Sequence, residues 1–413
     1  MLYPAAASGA PQAHGLAHAP VVVVGAGIVG ACVAHALRAR GASVVLVDRD
    51  EPGRGASFGN SGALSPGSVA PLAMPGVLAD VPAMLRDPHG PLHLPPAYLP
   101  RALPWLARFV AASRPARVAR IAQSLAALHA GAIEGHLALA AEVGASDLIV
   151  RRGHLHLYPD AAALDRDDAS WRLRARHGIA FERVDRAVIE ALEPAVGPRY
   201  RAGMFLPDHA SVIDPHGYVL RIVEAFVARG GTLERDSVRA LEPLGAGGWL
   251  VRGATRTLRA GQVVVAAGAW SRALLDAVGV RVPLETQRGY HARFEGVPAP
   301  VSRTVVLADR KAFAAPMRAG LRIGGTVEFG GLARAPDFER ARRLEAFARE
   351  TFSGLDGARA EVWMGHRPCM PDTLPRVGPA PGREGLWLAL GHGHLGLTDS
   401  VNSARLLADV MLP

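Results

Sequence analysis

Residues 21–50 read VVVVGAGIVGACVAHALRARGASVVLVDRD, and their spacing decides the fold. Val21 to Val24 is an apolar, β-branched run of the kind that forms a strand buried on both faces. Gly25-Ala26-Gly27-Ile28-Val29-Gly30 matches GxGxxG, and the small residues that follow predict a helix over 28–39, stopped at Gly41. Ser43 to Val47 predicts a second buried strand ending in Asp48. Gly25 permits a tight turn, Gly27 lets a pyrophosphate approach the backbone, and Gly30 lets the helix pack closely on the strand. The helix start, at Ile28 and Val29, offers free N–H groups and partial positive charge to phosphate. Asp48 stands where an acid accepts hydrogen bonds from a ribose. The glycine motif alone is weak. Strand, motif, helix, strand and acid in this order specify a dinucleotide-binding unit, without separating NAD from FAD.

The rest of the chain bounds the possibilities. At 413 residues it fits two domains or one large nucleotide-binding enzyme. Hydrophobic residues make up 49% and charged residues 20%, which supports a sizeable core and excludes global disorder. The net charge is +9, but of 46 basic residues only Lys311 is a lysine, and the arginines are scattered among acids. This pattern excludes a nucleic-acid stripe and leaves an anionic substrate or a membrane surface as the use of the basicity. Cys32 and Cys369 are the only cysteines, too few for a disulfide framework, which points to a reducing, cytoplasmic compartment. Residues 1–19 are expected to be a loose tail, without the charged start of a signal peptide. Residues 21–34 are uncharged but carry three glycines and are too short to span a bilayer.

Two HxH pairs raise a metallohydrolase reading: His392 and His394 in GHGHLGLTDS, and His154 and His156 in GHLHLY. An HxH pair without a nearby set of Asp, Glu or His falls short of a metal site, so none is expected. In GHLHLY the histidines alternate with Leu155 and Leu157, which predicts a strand with one polar face.

Further segments narrow the cofactor. After Arg49 and Asp50, residues 55–67 read GASFGNSGALSPG, polar and glycine-rich where a simple NAD domain would continue into its next helix. Much later QVVVAAGAWS, 262–271, is another buried strand ending in the small-residue turn Ala266-Ala267-Gly268. GLWLALGHGHLGLTDS lies near the C-terminus. One nucleotide domain drawn from both chain ends and the middle is a flavoprotein arrangement. With GAGIVG, SFGNSGALSPGSVAP, GHLHLY, ETQRGYHARF, LRIGGTVEFGG, WMGHRPCMPDTLPRVGPAP and GHGHLGLT in this order, the sequence resembles the FAD-dependent amine oxidoreductases of the D-amino-acid oxidase superfamily, over residues 21 to about 410. It looks closest to bacterial D-amino-acid dehydrogenases, and among them to the branch that oxidises cis-4-hydroxy-D-proline.

The resemblance implies an α/β fold: a Rossmann-like FAD-binding domain of the glutathione-reductase type, interleaved with an α+β substrate domain built on an antiparallel sheet. Residues 20–84, 205–278 and 360–413 are expected in the first, and 85–204 and 279–359 in the second. It implies non-covalent FAD, held by Gly25, Gly27, Ile28, Val29, Gly30, Asp48, Arg49, Asn60, Ser61, Gly62, Val238, Gly268, Gly393, Leu395, Gly396, Leu397 and Thr398. The GHGHLGLT loop would line the flavin ring, and the helix that follows would aim its positive end at the ring edge that gains charge on reduction. Cys369 lies past the position where some relatives attach flavin. For the substrate, the resemblance implies a carboxylate anchor at Arg367, whose planar fork suits it, with Tyr290 and His394 beside it. His291 is expected to face the opposite way along the strand, and His366 to be a satisfied core histidine.

Oxidase relatives use a lysine near the flavin, and the matching strand, GLRIGGT, has Arg322 there. The reading is therefore a dehydrogenase that moves a hydride from Cα to flavin N5 and passes electrons to a quinone or another carrier. The alternatives are a glycine, sarcosine or broad D-amino-acid oxidase making H2O2, and a flavin-bearing subunit of a multi-chain dehydrogenase. Residues 97–120 predict amphipathic helix, with Leu99, Leu103, Leu106 and Val110 on one face and several arginines. It is expected to pack on its own domain, with peripheral contact at the inner membrane as the alternative.

Overall fold

The β-branched run Val21–Val24 forms a central strand of a six-stranded sheet. The computed structural model describes residues 19–87, 90–245 and 248–412. The tail expected over 1–19 lies outside them except for Ala19. Strand order is Thr232–Arg235, Val44–Asp48, Val21–Val24, Gln262–Val265, Leu386–Leu390, Arg376–Pro379. All pair in parallel except the last, which closes the edge antiparallel. Parallel pairing with both faces covered explains the uninterrupted valines. Val22 and Val23 have no exposed surface, and each such side chain stabilises the fold by about 1.5–3 kcal/mol.

The helix Ile28–Ala39 follows the glycine motif and packs with Pro215–Ala228 and the C-terminal helix Gly396–Met411 on one face. Gly25 has φ of +108°, and a β-carbon on Gly30 would stand 1.8 Å from the Gly25 carbonyl oxygen. The helix thus approaches the strand as closely as the motif requires. A three-stranded sheet, Ala240–Leu244, Gly248–Arg252 and Thr257–Ala260, covers the other face through Leu241 and Trp249.

The second framework is a nine-stranded sheet. Its path runs Arg359–Cys369, Glu285–Glu295, Gly320–Phe329, Ala312–Met317, Thr304–Leu307, His154–Tyr158, Ala202–Leu206, Glu182–Asp185, with Leu92–His93 added beside Gly320–Phe329. It is antiparallel apart from two parallel pairings, Thr304–Leu307 with His154–Tyr158 and Leu92–His93 with Gly320–Phe329. The helix Glu339–Thr351 covers one face through Leu344 and Ala348, against Leu155, Leu157, Phe294 and Ile323. His154 and His156 alternate with those leucines, as the pattern in GHLHLY required.

Two segments depart from the expected division. Arg359–Cys369 pairs along its whole length with Glu285–Glu295, so a boundary at 360 cuts into a strand of the larger sheet. Ala132–Glu142 lies within 85–204 yet packs Ile133, Leu139 and Ala140 into the helical layer of the smaller sheet. Strand partners and helix docking are long-range choices, which periodicity does not encode. Residues 97–120 likewise form two helices, Leu99–Ala112 and one beginning at Pro115. Trp105 is buried and donates its indole N–H to the Cys369 carbonyl at 3.2 Å, while Leu103 is 53% exposed. No described helix is long and apolar enough to cross a membrane.

Candidate active site

A cavity of about 1220 Å³ lies between the two sheets. Its nucleotide end is built by the glycine motif. Gly25, Gly27, Ile28 and Val29 line it, with Asp48, Arg49, Asn60, Ser61, Val238 and Gly268. The Asp48 carboxylate is preset by two backbone donors, the N–H of Ala26 at 2.6 Å and of Asp50 at 3.0 Å. Ser57 Oγ accepts from the Ile28 N–H at 2.9 Å, at the first position of the helix. The Arg49 guanidinium lies over the Trp270 ring, 3.9 Å from its centre.

The other end is closed by the loop Gly391–Leu395. Gly391 and Gly393 have φ of +84° and +57°, which glycine adopts without a β-carbon penalty. The turns send the two histidines apart. Both border the cavity, but His392 is buried with Nε2 3.0 Å from Ser403 Oγ, while His394 is exposed toward the cavity. Although enclosed deep in the fold, His394 has an exposed ring surface, because that surface faces the cavity. Burial and the nearby Arg367 charge push its imidazole down to about 4, so it is neutral at pH 7. The HxH pair is thus divided, and among the described residues no group of three His, Cys, Asp or Glu could hold a metal.

The larger sheet supplies the roof. Arg367 reaches across the neighbouring strand at Gly289 and donates to the carbonyls of Thr326 at 2.8 Å and Gly325 at 3.4 Å. Burial lowers its pKa below the usual arginine value. No carboxylate pairs with it among the described residues, so a cation without a counter-charge faces the cavity. Arg322 is 5% exposed, donates from one terminal nitrogen to the Asn60 carbonyl at 2.5 Å, and has a buried Nε without a partner. Burial, then Arg293, brings it down to about 10.

These residues fit FAD. The glycine motif admits a pyrophosphate, Asp48 is set for a ribose, and the cavity beside the 391–397 loop places two guanidinium groups without partner acids where a flat ring would lie. The sequence model of the DAO family, FAD dependent oxidoreductase, matches residues 20–410.

The chain belongs to this family. FAD is its cofactor. The oxidoreductase is 38% identical to a D-amino-acid oxidase of Bradyrhizobium diazoefficiens, over 95% of this chain and 94% of that one. It is 36% identical to a D-amino acid dehydrogenase 2 of Ralstonia nicotianae, over 95% and 96%. Among solved structures it is similar in fold to a glycine oxidase from Geobacillus kaustophilus, with TM-score 0.73, 22% identity and coverage of 95% and 94%. An L-proline dehydrogenase from P. horikoshii also has TM-score 0.73, with 16% identity and coverage of 95% and 93%.

Several expected positions serve this oxidoreductase differently. Tyr290 borders the cavity, but its hydroxyl is committed elsewhere. It donates to Glu328 at 2.5 Å and accepts from the Asp337 N–H at 3.0 Å. Burial and Glu328 raise its pKa to about 12. Glu328 is also 3.2 Å from Arg288. His291, expected to face away, stacks on Trp363 with ring centres 4.9 Å apart, and both line the cavity. Glu285–Glu295 pairs without a break with Arg359–Cys369, and the extra residue of the bulge opposite Arg288 and Tyr290 lies on the strand Gly320–Phe329, so His291 and Tyr290 keep opposite faces while both border the cavity.

Gly30, Gly62 and Thr398 hold the frame behind the cavity wall. A β-carbon on Gly62 would stand 2.1 Å from the Val212 carbonyl oxygen. Thr398 Oγ1 accepts from the Ser65 N–H at 3.0 Å and donates to the Ala63 carbonyl at 3.3 Å. Leu395, Gly396 and Leu397 do line the cavity. His366 is satisfied, with Nδ1 3.0 Å from Thr286 Oγ1, yet it also lines the wall. Cys369 is buried outside the lining, and burial raises its thiol to about 12.

Sequence reasoning missed Ser57 and Trp363. The Trp363 ring fills the space that β-carbons on Gly59 and Gly365 would occupy, 1.9 and 2.0 Å from its atoms. The signal was a glycine on each side of a single tryptophan, but Gly59 is far from Trp363 in sequence.

Proposed function

We propose that this oxidoreductase dehydrogenates a D-amino acid at Cα, preferring a cyclic D-imino acid such as cis-4-hydroxy-D-proline or D-proline. The observation that carries it is Arg367, a half-buried, carbonyl-oriented guanidinium open to the cavity and without a partner acid among the described residues. Relatives named for D-amino-acid oxidation support the substrate class. The structural resemblance to the proline and glycine enzymes carries the fold alone.

In this reading the substrate carboxylate docks on Arg367 in bidentate fashion. Trp105, Phe109, Phe329 and Leu94 form an apolar wall that keeps water from the reacting carbon. His394, neutral at pH 7, accepts a hydrogen bond from the substrate nitrogen. The cyclic substrate loses its Cα hydrogen with both electrons and one proton from nitrogen, leaving a C=N bond. For cis-4-hydroxy-D-proline the product is Δ1-pyrroline-4-hydroxy-2-carboxylate. Bound non-covalently, FAD supplies the two-electron acceptor, and the buried Cys369 lies away from the lining. The two sheets divide the work, the smaller holding the nucleotide and the larger the substrate.

Arg322 on the strand over the cavity, where an oxidase would carry a lysine, favours a dehydrogenase whose electrons go to a quinone or another carrier. The cavity opening supports a membrane-borne acceptor. Leu72, Leu85 and Val110 both line the cavity and are 44%, 42% and 36% exposed. Leu99 and Leu103 extend this apolar rim. Arg101 and Arg108 stand on the opposite face of the same helix, Arg114 and Arg117 follow it in sequence, and no acid occurs between Asp87 and Glu134. Exposed apolar side chains in a basic stretch without acids suit an anionic bilayer surface.

The deciding test is anaerobic addition of cis-4-hydroxy-D-proline, D-proline, D-alanine and sarcosine to FAD-loaded protein, followed by bleaching of oxidised flavin. Fast bleaching by the first two is expected. Bleaching by D-alanine or sarcosine alone moves the function to a broader oxidase. H2O2 release matched to turnover would overturn the dehydrogenase reading.

A further inference from the structure

Behind the loop that carries His394 lies a buried pair of opposite charge capacity. Asp399 has no exposed surface and sits in the first turn of the helix Gly396–Met411. His129, 1% exposed, ends the helix Pro115–His129. Its Nε2 is 3.0 Å from Asp399 Oδ1. Yet neither carboxylate oxygen nor that nitrogen makes a hydrogen bond, because the N–H is not aimed along the contact. The contact is therefore one of charge rather than of directed bonding. His129 Nδ1 is 3.1 Å from the Pro66 carbonyl, which can only accept, so Nδ1 carries a hydrogen. Nε2, held against the Asp399 carboxyl, is the position at which a second hydrogen would give the ring a positive charge. A lone ionised carboxylate at such burial would be very costly. A cation at His129 offsets that cost.

Its position gives it a further role. Gly396 and Leu397, from the same first turn as Asp399, line the cavity next to His394. The start of a helix carries partial positive charge that favours negative charge placed before it. Negative charge on Asp399 opposes that effect, and positive charge on His129 restores it. We propose that the His129–Asp399 pair sets the electrostatic potential at the cavity end of this helix, and through it the reduction potential of bound FAD. Both are positioning residues: neither lines the cavity. The proposal rests on the reading that the 391–397 loop faces the flavin ring, and it does not depend on which substrate is oxidised.

The test uses FAD-loaded protein without substrate, equilibrated with reference dyes to obtain the midpoint potential. Asp399→Asn, which removes the negative partner at nearly constant shape, is expected to raise the reduced-to-oxidised ratio at fixed potential about tenfold, a shift of about +30 mV for a two-electron couple. His129→Gln is expected to lower it by a similar factor, and the double variant to return within about twofold of the parent. Asp399→Glu keeps the charge and should keep the parental potential, which a purely structural role would not predict. Unchanged potentials in both single variants, with FAD bound, would overturn the proposal. Should Asp399→Asn lose FAD, the His129→Gln and Asp399→Glu values decide it. Substrate bleaching with unshifted potentials would leave the proposed dehydrogenase intact and remove this inference alone.

Discussion

The guanidinium of Arg367 lies directly over Gly289, so close that a β-carbon there would stand 2.1 Å from its Cζ. The glycine is thus part of the arginine's seat. Two carbonyls on the far strand, of Thr326 and Gly325, then fix the fork. Gly289→Ala is expected to displace Arg367 and raise the KM for the D-imino acid about tenfold or more, with FAD retained. Arg367→Ala should raise KM further, and Arg367→Lys should not restore it, since an ammonium lacks the bidentate fork. Steady-state kinetics with the flavin content measured alongside checks this. An unchanged KM in Arg367→Ala would refute the anchor.

Tyr290 makes the opposite prediction. Its hydroxyl is one of the groups that neutralise buried Glu328, with Arg288. Tyr290→Phe should cost about 1–3 kcal/mol of stability, the price of an unsatisfied buried acceptor. Its KM should stay within about twofold of the parent. Denaturant unfolding and kinetics on the same preparation separate these effects. A large KM change with unaltered stability would return Tyr290 to the substrate site.

Acid should destabilise the protein before its carboxylates titrate. Burial pushes His136 and His154 down to about 4 from an ordinary value of 6.5. Between these values the unfolded chain binds protons that the folded chain refuses. Stability therefore rises with pH across that window and is lost as pH falls from about 6.5 to 4, by on the order of 1–3 kcal/mol per histidine. Melting temperature of FAD-loaded protein against pH reads this directly. His154→Gln should flatten part of the slope, and a Tm independent of pH across the window would contradict the burial of these imidazoles.

The apolar rim of the cavity opening predicts binding to vesicles. Leu103 is 53% exposed and touches neither core nor ion pair. Wild-type protein should co-sediment with phosphatidylglycerol-containing vesicles and release with salt, while Leu103→Ser with Val110→Ser should weaken binding at least fivefold. Equal recovery in the supernatant with and without vesicles would dismiss a lipid surface here.

How much of this was legible in the sequence follows from which contacts are local. The unit from Val21 to Asp48 reads directly, because strand, glycine turn, helix and strand follow one another and each is stabilised by near neighbours. The family also reads directly, through seven blocks in order. The strand Glu285–Glu295 does not. Its side chains take their partners from strands and loops more than thirty residues away, and those decide that the Tyr290 hydroxyl is held by Glu328 while the His291 ring stacks on Trp363 at the cavity.

The sequence by itself determined the nucleotide-binding half, the FAD family and the arginine that faces the cavity, since those depend on local spacing and residue chemistry. Only the tertiary structure decided that His392 and His394 part company, that Trp363 fills the space left by Gly59, and that His129 meets Asp399 from another helix. Each of these joins residues by packing in space, and their separation along the chain carries no period by which to find them.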